Sequence, residues 1–392
     1  MRSNNCVRRS NAAHWRRPWA RSWPRAGPCL PTAGADMARP EYQLRELTVG
    51  QRDEWDRFAA AHPLGDFAQA WDWGELKADG EWRAHRLGLY QDDALVAGAQ
   101  VLVRDLPWGA GRLAYASRGP LVDLTTTDAA PQRAALFDEL EHWCRARGAL
   151  CLKVDPCVTG EAEVYLRRCG VIPAPVDDPD FGGTQPKYVM RLDLSPGLDD
   201  VFANFKADVR NRVRKAGRRG VTVRRGESEA DWRAWYALLQ ETATRQQFRV
   251  RAYSYFDGLR RHLTGACEAW LLLAEREARL VGGILCVHFG PTVWYLYGAM
   301  NDEGRNHYSG YVLQWDAMQR TVEAGGTVYD FRGVGPFDQP DGPHYGLNRF
   351  KSGFSPAEVE WVGEWDLVLS PLRYRLFNWA MAQRSRRGRR GR

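Results

Sequence analysis

Two copies of one pattern lie along this chain of 392 residues, and that duplication limits its possible folds more than any other feature. HRLGLYQDDALVAGAQVLVRD (85–105) reads as two strands joined at Asp92-Asp93. LLLAEREARLVGGILCVHF (271–289) repeats it, with Val281-Gly282-Gly283 standing where Val96-Ala97-Gly98 stands. RLAYAS has its counterpart in VWYLYGAM. The amphipathic run 131–147, stopped by Gly148, is matched by SGYVLQWDAMQRTVEAGG (309–326). ALCLKVDP (149–156) is matched by TVYDF (327–331), so Asp330 takes the place of Asp155. The offset is 185 residues at the hairpin and 175 at the acid, a small drift over so long a spacing. Two tandem α/β units follow, each a sheet with helices packed on it. The length suits two domains. Between the copies, PAPVDDPDFGGTQP (173–186) reads as a loop or junction, and YVMRLDL opens the second copy.

Charge has to be divided before it says anything. The net charge is +7, but residues 1–36 hold seven Arg against one Asp, and RSRRGRRGR (384–392) holds six Arg and no acid. The body between them is therefore slightly acidic, and the basic total is no argument for nucleic-acid binding. Residues 1–36 have neither periodicity nor the apolar run of a signal peptide. They are expected to be a disordered leader or a start-codon error, with Met37 the start. No stretch reaches the roughly 18 apolar residues of a membrane helix.

Nucleophilic and metal chemistry find little support. GxSxG, HExxH, a P-loop and a GxGxxG after a strand are all missing. The eight Cys and eight His form no ligand spacing, and Cys144, Cys151 and Cys157 lack a partner pair, so no metal is expected and reduced, cytoplasmic thiols are.

Three stretches stand out instead. KADVRNRVRKAGRRGVTVRR (206–225) has nine basic residues and one acid. Val201, Phe205, Val209 and Val213 recur every four residues as an apolar face, with Lys206, Arg210 and Arg214 on another face. This helix is either a solvated amphipathic surface or a contact for phosphates, as in RNA or a diphosphate. Arg251, Tyr253 and Tyr255 alternate as on a strand, as do Tyr295 and Tyr297, a pattern that by itself suits packing. Finally, Gly/Pro punctuation leads into Arg349-Phe350-Lys351, read as a strand with a cationic pair astride an aromatic.

Nine ordered blocks then carry a resemblance. QAWDWGELK (69–77), YASRGPLVD (115–123), LKVDP (152–156), the basic helix and RAYSYF (251–256) come first. VWYLYGAM, YVLQWDAM (311–318), YDFRGV (329–334) and RFKSGF (349–354) follow. Over residues 40–375 the chain resembles the FemABX family of peptidoglycan bridge-forming aminoacyltransferases. The resemblance implies α+β tandem GNAT-like domains: a first of 37–187 plus 362–383, a second of 188–361, and a basic tail over 384–392. No long helical arm fits within 228–270, so the compact form is expected.

The implied activity is transfer of an amino acid from aminoacyl-tRNA to the stem-peptide amine of a UDP-MurNAc-peptide or lipid-linked muropeptide. The implied setting is a cytoplasmic monomer, with peripheral association at the inner membrane face an option, and no cofactor. By block, the resemblance assigns Lys77, Arg251, Tyr255 and Tyr297 to precursor binding. It assigns Asp155 to the acceptor amine, Lys351 to the reaction centre and Phe350 to the tRNA end. The basic helix, through Lys206, Arg210 and Arg214, is assigned to tRNA. One departure is Leu150, where a family member has an aromatic contact. The rival readings are an acyl-CoA enzyme of the same fold, against which RNHYSGYVLQ (305–314) offers a single Gly for a pyrophosphate cradle, and a non-enzymatic RNA-binding module.

Overall fold

Alternation of short apolar strands with amphipathic helices yields two mixed seven-stranded sheets. The structure is a computed structural model that describes residues 41–175, 183–339 and 345–390. The leader with Met37, the middle of the junction and residues 391–392 lie outside them. In chain order the strands are β1 (Tyr42–Glu46), β2 (Arg83–Gln91), β3 (Ala94–Asp105), β4 (Arg112–Ala116), β5 (Ala149–Val154), β6 (Ile172–Pro173) and β7 (Tyr188–Asp193). There follow β8 (Val221–Arg225), β9 (Cys267–Arg276), β10 (Arg279–Phe289), β11 (Thr292–Met300), β12 (Val328–Gly333), β13 (Ala357–Glu360) and β14 (Trp365–Val368). The first sheet runs β1-β2-β3-β4-β5-β14-β6 and the second β13-β7-β12-β11-β10-β9-β8.

Laid over one another, the two orders show the duplication in space. The β2–β3 hairpin corresponds to β9–β10, and each sheet has one parallel pair, β4–β5 and β11–β12, among antiparallel neighbours. Both hairpins turn through two residues of positive φ, Asp92-Asp93 and Glu277-Ala278, as a two-residue turn between right-twisted strands requires. The strand beside each acid-bearing strand comes from elsewhere in the chain. β14 returns from beyond the second copy to pair with β5, whereas β7 pairs with β12.

The described residues from Tyr42 onward cluster as one unit. One apolar core runs through both sheets, uniting Trp55, Phe67 and Trp73 of the first copy with Trp235, Phe256 and Trp294 of the second. Phe67 meets Trp294 edge-on with ring centroids 5.2 Å apart. Burying aromatics of this size from both sides fixes the two sheets as walls of one space.

Three local expectations change. RFKSGF is not a strand; the helix Tyr345–Ser352 carries Lys351. Leu347, Phe350 and Phe354 already had helical spacing. RAYSYF opens the helix Tyr253–His262, so Tyr253 and Tyr255 point apart rather than sharing a face; Phe256, Leu259 and Leu263 set the helical period there. The basic run is the helix Ala207–Arg218 followed by β8, and the apolar spacing that leads into it crosses from a separate helix, Leu198–Asn204, through a break at Phe205-Lys206. Val201, Phe205, Val209 and Val213 are nevertheless all buried.

Candidate active site

Between the two sheets lies a cleft of about 620 Å³. A second hollow of about 460 Å³ adjoins it, and Lys77, Trp82, Arg251 and Tyr255 line both. The parallel pair of each sheet opens on this space: Tyr115 of β4 and Tyr295 and Tyr297 of β11 are lining residues. A register shift opposite Leu285 and Cys286 makes Leu296 a bulge, which brings Tyr295, Leu296 and Tyr297 all to the cleft wall.

Lys77 is set by a buried polar scaffold under the helix Trp71–Ala78. Asp56 accepts from the Trp71 backbone N–H at 2.8 Å, Gln100 donates to the Ala68 and Ala70 carbonyls, and Arg86 donates to the Trp71 carbonyl and the Glu75 carboxylate. The Asp56 bond satisfies the first orphan N–H of the helix, and the others fix its roll. Gly74 must be glycine, because a Cβ there would overlap both the Arg86 guanidinium and the Gln100 amide. Three residues later Lys77 extends over Trp73 at 4.4 Å and Tyr255 at 5.4 Å, while Arg251 lies over Tyr255 at 4.7 Å. Burial and the neighbouring Arg251 guanidinium pull the Lys77 ammonium down to about 8. Two cations thus share one tyrosine ring, and no carboxylate among the described residues pairs with either. That arrangement calls for an external anion.

Lys351 lines another part of the same cleft. It is 3% exposed, and its Nζ donates to the Phe331 carbonyl at 2.6 Å and the Gly333 carbonyl at 2.7 Å. β12 loses register between Asp330 and Gly333, with Arg332 at φ 60°, and this kink leaves those carbonyls free of the ladder to hold the lysine. Burial pulls the ammonium down to about 7, with Asp330 opposing and Arg332 assisting. An ammonium has three donors; two are committed to carbonyls. Gly353 lets this helix end pack on the basic helix, since a Cβ there would lie 2.6 Å from Val209 Cγ2.

Asp155 does not line the cleft. It is 1% exposed; Oδ2 accepts from the Tyr115 hydroxyl at 2.8 Å and Oδ1 from the Arg118 backbone N–H at 2.5 Å. Burial raises its carboxyl to about 7 against the opposing Arg118 guanidinium. Tyr115 is the group that faces the cleft, and Asp155 reaches it only through that hydroxyl. Asp330 repeats the design, accepting from the Arg332 backbone N–H at 2.6 Å with Arg191 beside it. Leu150 lies in a separate apolar cluster with Tyr374, away from the cleft.

The tRNA assignments divide. Lys206 caps the basic helix and approaches Ser352 Oγ at 3.5 Å, beside Lys351, and Arg214 is exposed over Phe202. Arg210 donates to the carbonyls of Ala203 and Phe205, closing the preceding helix. Phe350 packs between Tyr311 and Phe354. Reading the sequence alone missed Arg332, which lines the cleft, donates to Gln185 at 2.6 Å and lies 3.7 Å from Asp66. Tyr115 and Trp73 were missed as well, and Tyr295, read with Tyr297 as packing, also lines the cleft. The signal for Arg332 was its place inside YDFRGV.

The FemAB family model matches residues 51–164, 177–275 and 266–382. A lipid II:glycine glycyltransferase of Staphylococcus aureus is 26% identical over 396 residues, spanning 82% of this chain and 93% of the relative. Among solved structures, FemX superposes with a TM-score of 0.77 at 25% identity, over 85% of this chain and 99% of FemX. A tandem GNAT protein from the clavulanic acid pathway, 15% identical, covers 84% of this chain and 99% of its own with a TM-score of 0.50, which shows the shared tandem GNAT fold.

Proposed function

This chain belongs to the FemAB family and is a transferase, and from that premise we propose that it moves an amino acid from aminoacyl-tRNA to the stem-peptide amine of a lipid-linked peptidoglycan precursor. The observation that carries the reading is the placement of Lys77 and Arg251, two cations without a carboxylate partner among the described residues, in the same cleft as Lys351. A precursor whose diphosphate sits between Lys77 and Arg251, with its sugar against Tyr255 and Tyr297, extends its peptide along the cleft toward Lys351.

The chemistry asks little of the protein beyond placement. An aminoacyl ester is already activated, so the neutral acceptor amine attacks its carbonyl directly. The C–N bond forms, a tetrahedral oxyanion develops, and the tRNA hydroxyl leaves with a proton that the amine gives up. Holding the two substrates together and stabilising the oxyanion are the expected sources of rate. The third N–H of Lys351 is the donor we assign to the oxyanion. Tyr115, backed by Asp155, is the route by which the amine proton leaves.

The donor side rests on the basic helix, whose Lys206 and Arg214 are exposed next to the helix that bears Lys351. An acyl-CoA donor has less support: Ser309 and Gly310, which begin the helix Ser309–Glu323, are buried, and Gly310 lies under Met300, so that helix start is closed as a pyrophosphate cradle. Radiolabelled transfer from a panel of charged tRNAs, glycyl-tRNA first, onto lipid-linked and UDP-linked precursors tests the reading. Label in the lipid-linked product supports it; label only from acetyl-CoA, or none from any charged tRNA, overturns it.

A further inference from the structure

The first two turns of the helix Pro371–Arg390 pack against the first sheet. Tyr374 is buried there with its hydroxyl on Asp366 at 2.7 Å, and Phe377 packs on the cluster of Leu106, Leu113 and Leu150. A surface helix so seated turns a polar side to water. This one does not. Leu372, Leu376 and Trp379 are 75%, 66% and 65% exposed and belong to the largest apolar side chains left open on the molecule. Their spacing of four and three residues places them in one stripe roughly 60° wide along the outward side. Arg373 and Arg375, both exposed, flank that stripe. The sequence then runs into RSRRGRRGR, six Arg without an acid, on a body that is otherwise slightly acidic.

We propose that this helix and the arginine stretch at its end form a docking element for the surface of an anionic lipid bilayer. Neither half of the feature suffices alone. An apolar stripe with an interfacial Trp enters the headgroup boundary, and a cluster of arginines is drawn to anionic lipid; stable peripheral binding takes both signals together. Other occupants fit less well. RNA can stack a base on Trp379 but offers Leu372 and Leu376 little apolar volume to bury them. A second copy packed stripe to stripe in parallel brings the arginine stretches of two chains together, at a cost in like-charge repulsion, and packed antiparallel it leaves both stretches without an anionic partner. Among the described residues no helix is long and apolar enough to cross a membrane, so attachment through this element is peripheral.

The inference goes beyond the proposed transfer reaction and does not depend on it, because vesicle binding is measured without either substrate. The full chain is sedimented with vesicles of phosphatidylcholine alone and with vesicles of equal parts phosphatidylcholine and phosphatidylglycerol. The wild type is expected to sediment with the anionic vesicles, to be released by high salt, and to ignore the neutral ones. Leu376→Gln/Trp379→Gln, both at exposed positions, is expected to bind at least about tenfold more weakly with an unchanged thermal melt. Arg384→Gln/Arg386→Gln/Arg387→Gln should lose more, since each arginine near an anionic surface contributes roughly fivefold. Binding that does not distinguish the two vesicle types, binding unchanged in the variants, or no binding at low salt overturns the proposal. A dimer without lipid that the Leu376→Gln/Trp379→Gln variant abolishes also overturns it, by assigning the stripe to a second copy.

Discussion

Replacing Lys351 with Met separates the cost of burying this lysine from its use. The fall from the ordinary lysine value of 10.5 to about 7 corresponds to on the order of 5 kcal/mol spent on keeping the charge inside the protein. Methionine removes that cost at nearly the same volume but strands the Phe331 and Gly333 carbonyls, each at about 1–3 kcal/mol. The two effects nearly cancel, so the variant should melt close to wild type. Activity should not follow stability. Loss of one oxyanion donor costs about 2.7–4 kcal/mol, a hundred- to thousandfold in kcat, with affinity for the precursor retained. The titration supplies a second readout. The folded pKa lies below the unfolded one, so between about pH 7 and 10.5 the unfolded chain binds more protons and wild-type stability rises with pH, approaching about 1.4 kcal/mol per pH unit within the window. The contribution is complete above the unfolded value and is lost as pH falls through about 7. Lys351→Met should lack this rise. Denaturant melts across that window and steady-state kinetics with both substrates varied measure the two effects. A variant within about threefold of wild type in kcat and KM, or one that keeps the full pH slope, refutes the assignment.

Lys77→Ala and Arg251→Ala should each raise KM for the precursor about tenfold or more with little change in kcat, most strongly at low salt; calorimetry showing unchanged precursor affinity removes the anion site. The basic helix should give a split result. Lys206→Glu and Arg214→Glu should flatten the salt dependence of tRNA binding in filter-binding titrations without altering the melt, whereas Arg210→Glu should lower the melting temperature, because its guanidinium closes the preceding helix. Gly74→Ala should destabilise the chain by about 1–3 kcal/mol in urea titrations, since the added methyl displaces the Arg86 and Gln100 contacts; a stability equal to wild type shows that the scaffold under Lys77 yields freely.

The duplication and both hairpins were legible because they are local: strand alternation, Asp92-Asp93, and a glycine closing each amphipathic run. Helix against strand was less legible where the segment was short. Alternation over Arg251, Tyr253 and Tyr255 suggested a strand, yet Phe256, Leu259 and Leu263 immediately beyond it drive a helix. Phe205 kept its apolar spacing through a helix break, which periodicity cannot register. At the site, block resemblance located Lys77, Arg251, Tyr255, Tyr297 and Lys351, and all five line one cleft. It could not see that Asp155 lies behind Tyr115, since a buried acid and an exposed one look alike in sequence. Nor could it see that Arg332 faces the cleft, because that depends on a kink in β12 and on side chains from two distant segments, at Asp66-Phe67 and Gln185.

The most direct test of the central claim is the mass of the product. Purified chain incubated with glycyl-tRNA and lipid-linked muropeptide should yield a precursor heavier by whole aminoacyl residues, with the new bond on the stem-peptide amine. The yield should collapse with ribonuclease and fall a hundred- to thousandfold with Lys351→Met. An unchanged precursor mass with every charged tRNA offered, or product that survives ribonuclease and forms from acetyl-CoA, contradicts the account.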